Sequence, residues 1–503
     1  MVYIIISLVI PFALSLKLSQ GLSWSAITDN ISKIRFTIFQ AFLSAIFTAL
    51  LGLPGAYLVG RTKLNSLVRK IFRVISSIPF VLPGITMAIG FFLTFGKSGI
   101  YSKILGAFGI NVQILYTFTA IVLGHVFYNF PLFIRIVGEA WENIDGFVIE
   151  AAKLDGAGKW KTFLKVELPL LIPSILRAFF LTYIYTFTSF SVVLILGGIK
   201  YSTIEVTIYM YSRITFDFKS ASTLMLFQLL FISFIGYFVS VKREVHEKNF
   251  HTHLEKFPKW GYVLFGFYII LIFVPLFYSA ISGFLDYYGR FSLTNFRIFF
   301  SENLEYLVGT TVKEMIFYTI LISTVSSIIS ILISTIGGYY SSRGKRFNYI
   351  LFLPAAMSSV TIAFPYVLIN IPILAKIVVT HSLIVLPITF GIIETGWRSI
   401  PNNIIEAAKV DGAGDILTFS KIALPLLKNF IFTAFVYSVT ISVGETSGTL
   451  TLVEPPIMTF STVVFRLMNS RNTEVAMVLN TFYFIFVVSL FIMVEFSRKE
   501  EVL

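Results

Sequence analysis

Apolar runs long enough to cross about 30 Å of hydrocarbon as helices recur along the whole chain, separated by short polar stretches. They predict spans near 2–16, 36–59, 72–95, 114–137, 169–197 and 221–240, then near 261–283, 314–340, 348–370, 376–395, 424–448 and 476–496. The first run is short enough to lie at an interface. It also has the look of the apolar part of a signal peptide, but it lacks a positive start and a small-residue cleavage site, so it is kept as a span. The pattern is that of an all-α polytopic membrane protein with about 12 transmembrane helices. The most polar linker, residues 241–260, divides the chain into a first half, 1–240, and a second half, 261–503, and has the character of a fusion joint.

The halves repeat one another. "EAAKLDGAGKWKTFLKVELPL" begins at Glu150 and "EAAKVDGAGDILTFSKIALPL" at Glu406, and Trp141 precedes Trp397 by the same 256 residues. "GAYLVGR" (Gly55 to Arg61) aligns with "GGYYSSR" (Gly337 to Arg343). An even number of spans separates the copies, so both EAA stretches face the same side. The repeat is therefore parallel, with a pseudo-two-fold axis along the membrane normal. With both termini on the inner side, the segments "RTKLNSLVRKIFR", "VKREVHEKNFHTHLEKFPK", "SSRGKRF" and "SRKE" and both EAA stretches are cytoplasmic, and they hold most of the 39 Lys and Arg, as the positive-inside rule requires.

Each EAA stretch predicts a helix-turn-helix along the inner face. Glu150, Ala151, Ala152, Lys153 and Leu154 are good helix formers, and Asp155-Gly156-Ala157-Gly158 then breaks the run. A second short helix, "KWKTFLKVE", follows, and Leu168-Pro169 leads into the next span with proline at a helix start. Ala151, Leu154, Phe163 and Val166 are free to pack on the membrane domain or on a partner. A single copy would read as a re-entrant cap on the bundle. Two copies in register suggest a shared contact.

Composition sharpens this picture. Hydrophobic residues make up 56% of the 503 positions and charged residues 13%, which excludes an ordinary soluble protein. The net charge of +13 is mostly topological, so it is no nucleic-acid footprint, and the absence of cysteine removes disulfides and thiolate metal sites. "GFFLTFGKS" has one residue too many between Gly90 and Gly96 for a phosphate-binding loop and no preceding strand. Three of the five histidines, His246, His251 and His253, sit in the joint without a carboxylate cluster, and a solvated linker is the commoner home for them than a metal site. No nucleophile, base and orienting acid can be assembled, so no catalytic residues, no metal site and no cofactor within the chain are expected.

An ionisable residue inside a span usually faces the bundle interior or a cavity. Glu445, in "SVGETSG", lies where the first half has Ser189. Glu445, Thr446 and Ser447 with Thr188, Ser189 and Ser191 are candidates to line a path that favours a cation. The plainer reading is that Glu445 is bonded to a neighbouring helix and only holds packing. For His125, Asn129 and Glu394 an interhelical hydrogen bond is the better expectation.

The pattern of EAA, three residues, Gly, nine residues, Ile, one residue and Leu-Pro resembles the cytoplasmic signature of permease subunits in bacterial and archaeal ATP-binding cassette (ABC) importers. The second copy matches throughout (Glu406, Ala407, Ala408, Gly412, Ile422, Leu424, Pro425), and the first departs only at Val166. "LGHVFYNFPLFIRIVGEAWENI", "TFTSFSVVLILGG" and "TIEVTIY" are similar to the first half of fused permeases of the thiamine and ferric-iron type, over most of 36–240. The resemblance implies a type I importer permease in the cell inner membrane, with a path for a small solute such as thiamine or ferric iron. It implies two ATP-binding cassette ATPase subunits that hold ATP and Mg²⁺, and a separate solute-binding protein that docks outside, near "FGKSGIYSK", 199–220 and 449–475. The residues implied to seat the ATPases are Glu150, Ala151, Ala152, Asp155, Gly156, Leu168 and Pro169, with Glu406, Ala407, Ala408, Asp411, Gly412, Leu424 and Pro425. Gly156 and Gly412 would mark the tightest approach, and Glu150 and Glu406 would help hold the joint. A secondary transporter of two six-span halves, coupled to ions through Glu445 and Glu394, would show the same parallel repeat, but it gives no reason to duplicate a glycine-centred helix pair.

Overall fold

The computed structural model describes residues 1–65, 68–69, 72, 82–97, 99–110, 113–240, 254–286, 289–342, 346–470 and 472–498. The greater part of the joint, with His246, His251 and His253, and part of the run near 72–95 lie outside the described residues.

The described chain is helical nearly throughout. In order, the principal helices are α1 (Val2–Leu18), α2 (Ile31–Arg61), α3 (Gly84–Phe95), α4 (Phe118–Glu142), α5 (Gly146–Leu154), α6 (Lys159–Phe187), α7 (Ser191–Gly197), α8 (Ile204–Arg213), α9 (Phe218–Ser240) and α10 (Lys259–Ala280). They continue as α11 (Val312–Ser342), α12 (Ser359–Leu368), α13 (Ile373–Ser399), α14 (Asn402–Val410), α15 (Phe419–Gly444), α16 (Ser447–Leu452), α17 (Phe460–Asn469) and α18 (Thr473–Arg498). Among the described residues nine helices are long and apolar enough to cross a membrane, or ten if the pair Ile350–Ala356 and Ser359–Leu368, bent by 98°, is one span. The shortfall from twelve has local causes. The α1 helix is a shorter apolar helix, the described helix of the third run is only α3, and the ninth run breaks at nearly a right angle. The fifth and eleventh runs each break near their ends, at Thr188 and Glu445.

The chain divides into two compact units. One gathers Ile27–Thr207 and Leu230–Phe291. Here α2 packs on α4 and α6 through small residues, among them Ala41, Ser44, Ala45, Thr48, Gly52 and Ala56. Such residues let helix backbones approach closely where lipid supplies no hydrophobic drive. At Gly60 the approach is so close that a Cβ would lie 2.2 Å from the Gly138 carbonyl oxygen. The α10 helix belongs to the same unit, and the Ser279 hydroxyl donates to the Thr86 carbonyl (2.8 Å).

The other unit gathers Met1–Ala26, Ile208–Leu229 and Ser292–Leu503. Its α11 helix presents a serine seam to α13, where Ser330 and Ser334 reach Thr389 (2.5 and 2.9 Å) and Ser326 donates to the Val378 carbonyl (2.9 Å). Ile4 and Leu8 of α1 are buried with Leu351, Ile362, Leu383, Leu386 and Phe390. By packing, therefore, the leading helix of each sequence half, α1 or α10, belongs with helices of the other half. The halves 1–240 and 261–503 follow the repeat, and the compact units follow the contacts.

Candidate functional site

The two EAA stretches fold alike. Asp145 opens α5 by accepting from the Phe147 N–H (3.0 Å), an N-cap bond that satisfies a helix end. At the other end the Gly156 N–H donates to the Lys153 carbonyl and the Ala157 N–H to the Ala152 carbonyl, both 3.0 Å. That pair of bonds is a Schellman cap, which needs a left-handed residue, and Gly156 has φ +74°. In the second copy Ala413 donates to the Ala408 carbonyl (2.9 Å), and Gly412 has φ +83°. A Cβ on either glycine would meet nothing within 4 Å. Within the chain the glycines are thus required by backbone conformation, not by crowding.

The cap throws the tip of each loop outward. Leu154 is 90% exposed and its counterpart Val410 is 87% exposed. Ala151, Asp155, Gly156 and Pro169 are exposed, Glu150, Ala152 and Leu168 half-buried. In the second loop Glu406, Ala407, Asp411, Gly412, Leu424 and Pro425 are exposed, while Ala408 is buried. Beside the first tip an open hollow of about 520 Å³ is lined by Gly158, Lys159, Trp160, Lys161, Leu164 and Lys165. The second loop carries Asp415, Ile416, Leu417 and Lys421 where the first has Lys159, Trp160, Lys161 and Lys165. The shared backbone therefore presents unequal charge.

The second limb differs from the sequence expectation. It is no separate short helix, because Lys159 to Phe187 runs on as one helix with a π-turn at Phe163–Glu167, and Phe419–Ala423 forms the same turn in the second copy. The Leu168 N–H reaches the Phe163 carbonyl and the Leu424 N–H the Phe419 carbonyl. Widening the helix just before Pro169 and Pro425 relieves the clash that a proline ring makes with the preceding turn.

Behind each loop stands the same aromatic frame. Tyr57 meets Trp141 edge-on (5.5 Å) and Trp141 stacks on Phe163 (5.9 Å); Tyr339 meets Trp397 edge-on (5.4 Å) and Trp397 stacks on Phe419 (6.2 Å). Phe163 thus packs inward, while Ala151 and Leu154 do not. The sequence reading missed Glu167, which is buried and accepts from Arg61 and from Trp141 Nε1.

The polar residues proposed to line a path fall at the two helix breaks. In one unit Glu445 and Thr446 lie between α15 and α16 and Ser447 opens α16; in the other Thr188 and Ser189 lie between α6 and α7 and Ser191 opens α7. Both Glu445 oxygens are engaged: Oε2 accepts from the Ser359 hydroxyl and Oε1 from the Gly448 N–H, each 2.8 Å. The carboxylate thus ties α12 to the start of α16 while remaining only half-buried. The Thr188 hydroxyl donates back to the Ile184 carbonyl (3.0 Å) and the Thr446 hydroxyl to the Gly444 carbonyl (3.3 Å). Glu394 accepts from Ser341 on α11 (2.5 Å), an interhelical bond as expected, whereas Asn129 donates within its own helix to the His125 carbonyl (2.8 Å). His125 and His381, another pair 256 residues apart, are both buried; His381 meets Ser442 (2.7 Å) and Thr449 (2.8 Å), and His125 meets Ser44 (3.4 Å).

Comparison with known proteins agrees with this duplicated plan. The family described as "Binding-protein-dependent transport system inner membrane component" matches twice, over residues 52–248 and 254–499. The thiamine transport system permease protein ThiP of Haemophilus influenzae is 30% identical over 298 residues, 56% of this chain and 54% of its own length. The putative ferric transport system permease protein FbpB 1 of the same species is 24% identical over 441 residues, 83% of this chain and 69% of its own. The sulfate transport system permease protein CysT of Escherichia coli is 27% identical over 232 residues, 44% of this chain and 82% of its own.

Proposed function

The chain belongs to the family of binding-protein-dependent transport system inner membrane components, and from that premise we propose that it is the fused permease of an ABC importer, driven by two separate ATPase subunits. The observation that carries the proposal is the pair of matching loops whose apolar tips, Leu154 and Val410, stand exposed beside left-handed glycines. An apolar residue that exposed in two matching loops is suited to a partner's groove. Glu150, Ala151, Ala152, Asp155 and Gly156, with Glu406, Ala407, Ala408, Asp411 and Gly412, form the seating faces. Leu168-Pro169 and Leu424-Pro425 lie within α6 and α15, just past the π-turns, so a push on a loop is carried into a span. ATP and Mg²⁺ are held by the ATPases, and a solute-binding protein delivers solute to the opposite face. Both termini lie on the ATPase side.

The two helix breaks, with Glu445, Thr446 and Ser447 and with Thr188, Ser189 and Ser191, supply the polar lining of the path. A carboxylate at Glu445 suits a cationic solute, and of the relatives' solutes thiamine and ferric iron fit that charge better than sulfate. An ion-coupled secondary transporter finds no support in a family defined by dependence on a binding protein.

Copurification tests the proposal. Tagged wild-type protein in detergent should bring down an ATPase, and the double variant Gly156→Trp/Gly412→Trp should not. Recovery of no ATPase with the wild type, under conditions that preserve membrane complexes, would refute it.

A further inference from the structure

The first EAA loop is fastened to its unit by buried charge, and the second is built without one of those charges. Glu167, just before the Leu168-Pro169 pair, accepts on Oε1 from Arg61 Nε (3.2 Å) and Nη2 (3.0 Å), and on Oε2 from Trp141 Nε1 (2.7 Å). The Arg61 and Glu167 side chains are 2% and 7% exposed. A second carboxylate approaches the same guanidinium from the joint, for Glu255 Oε1 lies 3.9 Å from Arg61 Nη2. Its other oxygen accepts from the Tyr57 hydroxyl (3.2 Å) and lies 3.7 Å from Lys159 Nζ, at the start of the loop's second limb. Backbone bonds hold the joint there as well. The Glu255 N–H donates to the Arg61 carbonyl (2.9 Å) and the Lys63 N–H to the Glu255 carbonyl (2.8 Å), a short parallel bridge at Thr62.

Arg61 therefore ends α2 between two carboxylates from different segments, one at the root of the loop and one on the joint. The fold alone does not call for this. In the second half the place of Glu167 is taken by Ala423, which is buried, and Trp397 turns its Nε1 to the Thr335 carbonyl instead (3.0 Å). The Tyr-Trp-Phe frame is the same in both halves, so an apolar root builds it equally well. Buried ion pairs are commonly no more stabilising than apolar residues of similar volume, and in some proteins they specify one arrangement over others.

We propose that Arg61, Glu167 and Glu255 form a charged latch that makes the first EAA loop, the end of α2 and the joint move as one body, so that the first loop transmits the ATPase stroke rigidly while the second can yield. The proposal rests on the reading of the EAA loops as ATPase seats. The three are positioning residues, acting through the loop and not on solute. Lys159, on the exposed limb, balances the second carboxylate, leaving two cations against two anions.

The test uses the complete transporter in liposomes, with its ATPases and binding protein, and reads three things: ATPase copurified per permease, basal ATP hydrolysis, and the stimulation of hydrolysis by the binding protein. Arg61→Met/Glu167→Leu replaces the buried pair with apolar side chains and also removes the acceptor of Trp141 Nε1 and the guanidinium that faces Glu255. It should retain the ATPase and the basal rate but lose stimulation at least fivefold. Glu255→Gln can keep an acceptor for the Tyr57 hydroxyl but removes the charge that faces Arg61 and Lys159, so it should lose stimulation in the same direction and decides the matter if the double variant fails to fold. The exchange Arg61→Glu/Glu167→Arg should not restore stimulation, because it sets two carboxylates, those at positions 61 and 255, against each other; full restoration would mean a simple pair and would overturn the three-part latch. Wild-type stimulation in both the apolar double variant and Glu255→Gln would overturn it too. Failure of the wild type to retain an ATPase would instead sink the underlying reading of the loops.

Discussion

Gly156 and Gly412 can be asked whether they are needed for their shape or for their smallness. Both have left-handed φ, and both have empty space where a Cβ would go. An L-residue in that region costs about 1–2 kcal/mol, while asparagine tolerates it better than alanine. Among the described residues nothing adds a clash term, so the expected effect of Gly156→Ala is that local figure. A loss of 1–2 kcal/mol reduces the population of the capped loop by a factor of roughly 5–30. The rest of the unit should be untouched, because Gly156 touches no core residue. The expected order of ATPase retained in copurification is therefore Gly, then Asn, then Ala, then Val, with parallel series at 156 and 412. Amide hydrogen exchange at Gly156 and Ala157, whose N–H groups close the cap, should speed up in the same order. If the partner instead presses against the glycine, size governs and asparagine does worse than alanine. That reversed order, with the cap amides still protected in alanine, would refute the conformational argument.

Other expectations follow from single contacts. Gly60→Ala would place a Cβ 2.2 Å from the Gly138 carbonyl and 2.8 Å from Trp141 Cβ, so it should destabilise the protein by about 1–3 kcal/mol, read as a lower melting temperature in detergent. Trp141→Phe removes a bond to a buried carboxylate, worth about 1.5–3 kcal/mol, whereas Trp397→Phe removes one to a neutral carbonyl; the first should lower the melting temperature more. Glu445→Gln can keep an acceptor for the Gly448 N–H and a donor towards Ser359, so the fold should survive and any change in uptake reports the charge. Unchanged uptake with unchanged solute preference would remove Glu445 from the path.

The sequence made the repeat and the loops legible because both rest on local chemistry. Helix-forming Glu150 to Leu154 followed by Asp155-Gly156 specifies a helix and its cap without help from distant residues. The leading helices α1 and α10 were another matter, since an apolar run says that it will be buried and not by which half. The breaks at Thr188 and Glu445 were hidden for a similar reason: "TFTSF" and "GETSG" read as parts of unbroken spans, whereas the Thr188 hydroxyl and the Glu445 carboxylate bond to backbone where a helix ends or begins. Glu167 was overlooked although a signal existed. A carboxylate entering an apolar span at a position where the other copy has Ala423 demands a buried cation, and Arg61, at the end of its own span, was available. What could not be read was that Trp141 and Glu255 would converge on the same pair, because that depends on α2, α4 and the joint meeting.

The most direct measurement is uptake into liposomes holding the purified permease with its ATPases, supplied with binding protein and with labelled thiamine, ferric iron or sulfate in turn. The account requires accumulation of one solute that depends on ATP inside, on binding protein outside, and on intact Gly156 and Gly412. Accumulation that persists without ATP or binding protein, driven by an ion gradient alone, would contradict it.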